Sequence, residues 1–403
     1  MFRYAENRNH TLNFWFNTLF YPESALIGET EMTEPAHSLL YHTCVDVTPP
    51  PPTDKRTAPD GALRLGLPTT KLWDVGRTLD FHFLGGTEAQ KQNVRQSALK
   101  WSEAANLLMR FDVPIEGAEF RVAFNAVGNW SYVGLDNLGI KSPDPTMNIE
   151  QDGSALHEVG HALGCIHEHQ QPASTIEWNK PVVYQALGGP PNYWDQAKVD
   201  FNVFNKYSAA QTQYSAFDPN SIMLYFFPDN WTTNGRGTHA NSTLSAVDLA
   251  FIRRCYPGCT ADFSKPQIAT AACKVSVGPG TQFNNYYGNS WLMNFPNQSF
   301  IEVRFNQPKQ YAGKNIYSRA LLRLVHLTSM LYPNPGFSPI DIIVNGTTIK
   351  SDYSPPSGNY LTEEWDITAN MKDGDNVIRL NFKNARSNYW IHKLQVDCVR
   401  ILD

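Results

Sequence analysis

Ser154-Ala-Leu-His-Glu-Val-Gly-His-Ala-Leu-Gly-Cys-Ile-His-Glu-His169 is the stretch around which this chain is organised. It sets His157, Glu158, His161, Gly164 and His167 in the spacing H-E-x-x-H-x-x-G-x-x-H, and four of the chain's eleven histidines fall inside it. On an α-helix, residues i and i+4 share a face, with Cβ atoms about 5–6 Å apart. His157 and His161 can therefore direct both imidazoles at one tetrahedral ion, at Zn–N distances near 2.0–2.1 Å. Leu156, Val159, Gly160 and Leu163 follow the i, i+3, i+4, i+7 spacing of a core-facing stripe. One face of the helix can thus be buried while the other holds metal. Gly164 can adopt the left-handed conformation that ends a helix without a Cβ penalty. The chain is expected to turn there and bring back His167 as a third ligand. Three protein ligands leave the fourth tetrahedral position for water, as in a catalytic rather than a structural zinc site. Zinc lowers the pKa of such a water from about 15.7 towards about 7. Glu158, next to the first ligand, is placed to take its proton and pass it to a leaving amine.

H-E-x-x-H alone is a short pattern that arises by chance. The glycine and third histidine at fixed offsets make it specific. A buried helix has little use for three imidazoles on one face unless something binds them, because each would otherwise need its own polar partner.

The extended motif resembles the metzincin metalloproteases. Ser221-Ile-Met-Leu-Tyr225 resembles their methionine turn. Three further pieces resemble the astacin branch: Glu168 after the third histidine, Trp130-Ser-Tyr-Val-Gly134 ahead of the zinc helix, and Leu244-Ser-Ala-Val-Asp248 at the start of a last helix. The likeness covers roughly residues 68–259 and is nearest to the astacin-like zincins of fungi and bacteria. The resemblance implies that Met223 floors the metal, and that Tyr225 coordinates zinc at rest and swings to support the oxyanion. It also implies that a strand at Thr146–Glu150 edges the cleft and pairs with substrate. After Glu168 the sequence departs from animal astacins: Gln170-Gln171-Pro172 stands where they carry arginine and a D-R-D run.

At 403 residues, two domains are expected. An apolar share of 42%, with 12% aromatic, supports real cores. A net charge of −5 argues against nucleic acid as the main partner. No run of about 18 apolar residues appears, so no membrane span is expected, and a monomer is expected. Residues 1–66 read as a leader: a pro-segment that masks the zinc, or a mobile tail ending in the linker Pro49 to Pro52. Leu79, Phe81 and Phe83 alternate as a half-buried strand, and Phe120, Val122 and Phe124 as another. Thr87 and Gln90 form a capping-box pattern ahead of the helical stripe Val94, Ala98, Trp101 and Ala105. Trp178 to Leu187 reads as a helix, and 226–243 as a loop near the primed side.

From about residue 262 the texture becomes that of short strands and turns. They are Phe300 to Phe305, Leu321 to Leu327, Ile342 to Ile349 around Asn345-Gly346, Trp365 to Thr368, Val377 to Phe382 and Trp390 to Val399. This spacing predicts an antiparallel sandwich. Asp373-Gly-Asp-Asn-Val377 bears a weak resemblance to carbohydrate-binding jelly-rolls, which implies glycan as a partner through exposed Trp and Tyr. The expected fold class is therefore α+β. A metzincin-type catalytic domain at 67–260, a twisted mixed sheet with helices, is followed by an all-β antiparallel sandwich at 261–403.

Six cysteines stand at 44, 165, 255, 259, 273 and 398, none in a zinc-ribbon or redox spacing. Cys273 and Cys398 flank the second domain and could staple it. By resemblance, Cys44 could pair with Cys255 or Cys259. Cys165 is expected as a small buried thiol. Six N-x-S/T sequons, among them Asn230, Asn241 and Asn345, fit secretion, although residues 13–20 make no convincing signal peptide. The functional expectation is a zinc endopeptidase acting on protein or peptide. The competing expectation is an inert metzincin-fold binding protein acting through its sandwich.

Overall fold

The structure, a computed structural model, describes residues 67–401 except 69–70, 191, 208–211, 214, 294–298, 329–339, 356–358 and 384–387. The readings of residues 1–66, including the Pro49–Pro52 linker and Cys44, lie outside the described residues.

Thr78–Phe83 is the parallel hub of a five-stranded sheet. It pairs with Leu108–Phe111 on one side and Phe120–Ala123 on the other. Phe120–Ala123 then pairs in parallel with Met147–Asn148, and the outermost strand is antiparallel Trp130–Ser131. This corrects the expectation for Thr146–Glu150. Its strand core, Met147–Asn148, has a neighbour on each side, so the rim of the sheet is Trp130–Ser131. Phe120–Ala123 also differs from a half-buried strand, because all four of its residues are buried. An inner parallel strand is covered on both faces, which suppresses alternation.

Gly85 and Gly86 turn the chain at positive φ of 137° and 79°. Helix α1 (Glu88–Ser102) then starts on the expected capping box: Thr87 N–H donates to Gln90 Oε1 at 2.9 Å, and Gln90 N–H to Thr87 Oγ1 at 3.3 Å. Val94, Ala98 and Trp101 are buried against helix α2 (Ala155–Ala162), whose apolar stripe Leu156, Val159, Gly160 and Leu163 is buried too. Ala105 lies in the turn after α1 but joins the same core.

The helix expected at Trp178 begins later, as α3 (Lys180–Gly188), with Pro181 presetting its first turn. Trp178 instead makes a β-bridge to Thr232. No pattern in the residues announces the next element: α4 (Gln196–Val199), capped by Asp195, runs straight into a π-helical turn at Asp200–Phe204. The N-terminal half of the described residues ends in α5 (Ala246–Cys255), started by a Ser245/Asp248 capping box.

The C-terminal half is two packed antiparallel sheets. One has the order 274–277, 300–307, 374–382, 340–344, 347–353. The other is built on Tyr389–Arg400, which pairs with Tyr317–Thr328, with Ser290–Met293 and with Gly258–Asp262. Five of the six expected segments lie on strands of this sandwich, whereas Trp365 to Thr368 straddles the end of the strand Leu361–Asp366 and a 3-10 turn at Thr368–Asn370. Ile340–Val344 and Thr347–Tyr353 are joined at Asn345-Gly346, with φ of 52° and 85°.

The strand Gly258–Asp262 runs across residue 260, where the sequence suggested a division, and it belongs to the sandwich. Asn106, fully buried in the N-terminal half, joins the two halves. Its Nδ2 donates to Pro257 O and Val396 O, and its Oδ1 accepts from Thr260 Oγ1 at 2.8 Å. The five described cysteines are free thiols, so the expected Cys273–Cys398 staple is absent among the described residues. Cys165 is buried, as expected.

Candidate metal centre

Helix α2 is only eight residues long, and aromatic donors hold it at both ends. Trp101 Nε1 donates to Leu156 O at 2.9 Å and Trp73 Nε1 to Ala162 O at 2.8 Å. Tyr256 Oη donates to Leu163 O at 2.6 Å. The bonds at the C-terminal end satisfy carbonyls that a helix leaves without an intrahelical partner. Gly164 has a φ of 100°, its N–H donates to His161 O at 2.7 Å, and Cys165 N–H donates to Gly160 O at 2.9 Å. That pair of bonds is a Schellman ending, and it reverses the chain so that His167 returns to the helix. Gly134 packs against this turn: a Cβ there would lie 3.3 Å from Gly164 Cα and 2.1 Å from Lys71 O.

The structure brings the three expected histidines together. His161 Nε2 lies 3.1 Å from His157 Nε2 and 3.0 Å from His167 Nε2. Each opposite nitrogen has a carbonyl-type partner. His157 Nδ1 donates to Ile222 O at 2.8 Å, His161 Nδ1 to Cys165 O at 2.7 Å, and His167 Nδ1 to Gln170 Oε1 at 3.2 Å. A carbonyl can only accept, so each Nδ1 carries the proton and each Nε2 lone pair faces the common point. Burial, then the neighbouring His157, holds His167 well below the ordinary imidazole value, so it stays neutral, the form that binds metal. Ligands at 2.0–2.1 Å in a tetrahedron lie about 3.3 Å apart. The observed spacing and the all-imidazole donor set fit zinc.

Glu158 is fully buried beside His157 on the same helix. The half-buried Tyr225 ring stacks on His157, with centroids 5.4 Å apart, and tilts over His167 at 4.3 Å. Met223 packs beneath α2, and a Cβ on Gly160 would fall 2.5 Å from its Sδ. The turn carrying Met223 is anchored twice. Glu168 N–H donates to Met223 O at 2.9 Å, and Asp248 accepts from Ser221 Oγ at 2.7 Å and Ile222 N–H at 2.9 Å. Asp248 was legible as a helix start, but its hold on the methionine turn was not.

The run after Glu168 also acquires a structure that the sequence left open. Gln171 Nε2 and Asp218 N–H both donate to Glu168 Oε1 at 2.6 Å, while burial pushes the Glu168 carboxyl up to about 8. His169, the fourth histidine of the motif, is not in the cluster; its Nε2 meets Asn202 O at 3.0 Å.

A buried helix with three convergent imidazoles above a methionine turn defines the zinc site of a metzincin. Residues 68–253 match the family model for the astacin peptidases. The solved structure of myroilysin is 40% identical, covering 47% of this chain and 96% of that one, with a TM-score of 0.45. Zinc metalloproteinase nas-9 of Caenorhabditis elegans is 22% identical over 204 residues, 46% of this chain and 36% of the relative. The chain belongs to the astacin family of zinc metallopeptidases. It spans about a third or less of the length of the curated relatives it matches. A carbohydrate-binding module of family 36, solved with calcium and xylotriose, is 14% identical over 30% of this chain and 92% of that one, with a TM-score of 0.23. No helix among the described residues is long and apolar enough to cross a membrane.

Proposed function

We propose that this chain is a zinc endopeptidase, with His157, His161 and His167 as metal ligands and Glu158 as general base and then acid. The observation that carries this reading is the convergence of three Nε2 atoms, each with its Nδ1 already committed to a carbonyl. Zinc held there supplies Lewis acidity, polarising a peptide carbonyl and acidifying the attacking water. Glu158 takes the proton from that water and returns it to the leaving amine. Its complete burial keeps bulk solvent from that exchange. The Tyr225 phenol, whose ring lies over two of the ligands, is assigned to the oxyanion. The outermost strand Trp130–Ser131 is where an extended peptide adds to the sheet. Retention of all three ligands and of Glu158 disfavours an inert binding protein.

The test is Glu158→Ala. The variant is expected to bind one zinc per chain and to lose casein hydrolysis. Turnover at the wild-type rate would overturn the role of Glu158, and absence of zinc from wild type would overturn the whole reading.

A second reading concerns the sandwich. Leu292, Trp390 and Leu327 form a cross-strand row with Tyr287 and Tyr360 packed on it, apart from the main core. Tyr286, 65% exposed, meets Tyr287 edge-on at 4.9 Å. Exposed rings backed by a rigid sheet can stack on sugars, so this face is assigned to glycan. Asp373–Val377 is not part of it: the Asn376 amide is committed to Lys372, Gly374 and Asn345. Tyr286→Ala in the full chain should reduce retention on insoluble polysaccharide, and unchanged retention removes the reading. An extracellular location is also proposed. Of the named sequons, Asn230 is exposed, whereas the amides of Asn241 and Asn345 are engaged in hydrogen bonds.

A further inference from the structure

Two of the three ligand histidines are oriented by backbone and one by a side chain. His157 and His161 donate to the carbonyls of Ile222 and Cys165. His167 donates to Gln170 Oε1, an atom that could in principle rotate away. What stops it is the other end of the same amide. Gln170 is fully buried, and its Nε2 donates to Phe201 O at 2.7 Å and to Asn205 O at 3.3 Å. With both donors spent on carbonyls, the amide has one orientation, and its oxygen faces His167.

Those carbonyls are available because of an irregularity in the backbone. In an α-helix Asn205 N–H would bond Phe201 O. Here it bonds Asp200 O at 2.8 Å, one residue further back, closing a π turn. The widened turn frees Phe201 O, and the chain leaves helical geometry at Asn205, freeing its carbonyl as well. Insertions of this kind gather at functional sites. The same segment also takes the His169 ring on Asn202 O and bonds Gln170 O from Tyr207 N–H at 2.9 Å.

We infer that Gln170 is a positioning residue for the third metal ligand, and that the π turn Asp200–Phe204 is the device that holds it. Gln170 fixes the proton of His167 on Nδ1 and aims Nε2 at the metal. This rests on the zinc reading above, and the wild-type protein separates the two: if it binds no zinc, that reading fails, and only if it binds does the comparison below bear on Gln170.

Zinc dissociation constants are measured by chelator competition for wild type, Gln170→Met and Val183→Ala. Met keeps the length and loses both the acceptor for His167 and the donors to Phe201 O and Asn205 O. Val183→Ala opens a cavity in the same buried cluster, on α3 and outside the π turn. Loss of an outer-shell partner of this kind weakens metal binding by about 10–100-fold, and that loss is expected for Gln170→Met alone. ¹⁵N spectra of labelled imidazoles should show His167 purely as the Nδ1–H tautomer in metal-free wild type and mixed in Gln170→Met, and the wild-type spectrum carries the test should the Met variant not fold. Equal affinity in Gln170→Met and wild type, the same loss in Val183→Ala, or a mixed tautomer of His167 in metal-free wild type overturns the inference.

Discussion

The guanidinium of Arg400 donates to the backbone carbonyl of Cys255 at 2.9 Å. Cys255 closes α5, so the last strand of the sandwich caps the last helix of the catalytic unit, placing a cation where a helix end favours one. Arg400 also donates to Trp73 O at 3.1 Å, and the Trp73 indole bonds the end of the zinc helix. At its other end α5 presents Asp248 to the methionine turn. The sandwich therefore braces the elements that brace the metal centre.

Arg400→Ala should lower the stability of the full chain by about 2–3 kcal/mol, the scale of hydrogen bonds made by a charged donor. Removing residues 389–403 takes away a strand paired on both sides and should leave no folded catalytic unit. Denaturant unfolding followed by tryptophan fluorescence reads both. A wild-type midpoint for Arg400→Ala would show that the Arg400 bonds add nothing to the join already made at Asn106.

Gly160 sits between His157 and His161, two of the proposed ligands, and its lack of a side chain is used. A Cβ would lie 2.5 Å from Met223 Sδ and 3.0 Å from the Trp101 ring. Gly160→Ala gains helix propensity worth about 1 kcal/mol. Overpacking of a filled core, about 1–3 kcal/mol, should exceed that gain, lower the unfolding midpoint and loosen zinc. A more stable variant with full zinc affinity would show that Met223 moves aside freely.

The catalytic half was legible where chemistry and local rules coincide. The histidine spacing, the glycine turn and the Thr87/Gln90 cap each depend on residues within one or two turns of chain. The rim strand was misassigned because Thr146–Glu150 and Trp130–Ser131 are both short, and only their pairing order distinguishes inner from outer. The roles of Gln170 and Asp248 were not legible because they depend on partners some thirty residues away: Phe201 and Asn205 for one, Ser221 and Ile222 for the other. The π turn has no composition of its own. It is defined by which carbonyl Asn205 chooses.

His326 offers a pH test in the sandwich. It is fully buried, with Tyr389 Oη 2.8 Å from Nδ1, Glu363 Oε2 2.7 Å from Nε2, and the rings of Tyr353 and Trp365 beside it. Burial lowers its pKa more than the Glu363 bond raises it. The unfolded chain, with histidine near 6.5, therefore takes up the proton first. Stability should be intact above about pH 6.5, fall as pH drops below that, and level off beneath the folded-state value. The zinc-loaded protein should show this slope in its unfolding midpoint, and His326→Gln should flatten it. An equal slope in the variant would assign the effect to another group.

Metal removal tests the centre itself. With the metal gone, three imidazoles keep their Nε2 atoms about 3 Å apart in a buried space. Nitrogens so buried exchange little with water, and a bound ion satisfies all three at once. Zinc that binds only the folded chain adds RT ln(1 + [Zn]/Kd), about 4 kcal/mol at a thousandfold excess over Kd. A strong chelator should therefore lower the unfolding midpoint by several degrees, zinc should restore it, and magnesium should not, because imidazole is a poor ligand for it. His161→Ala removes the imidazole at the centre of the cluster, and its midpoint should no longer respond to chelator or zinc. Should wild type unfold at the same point with and without chelator, the imidazoles do not share a metal, and their convergence would need another cause.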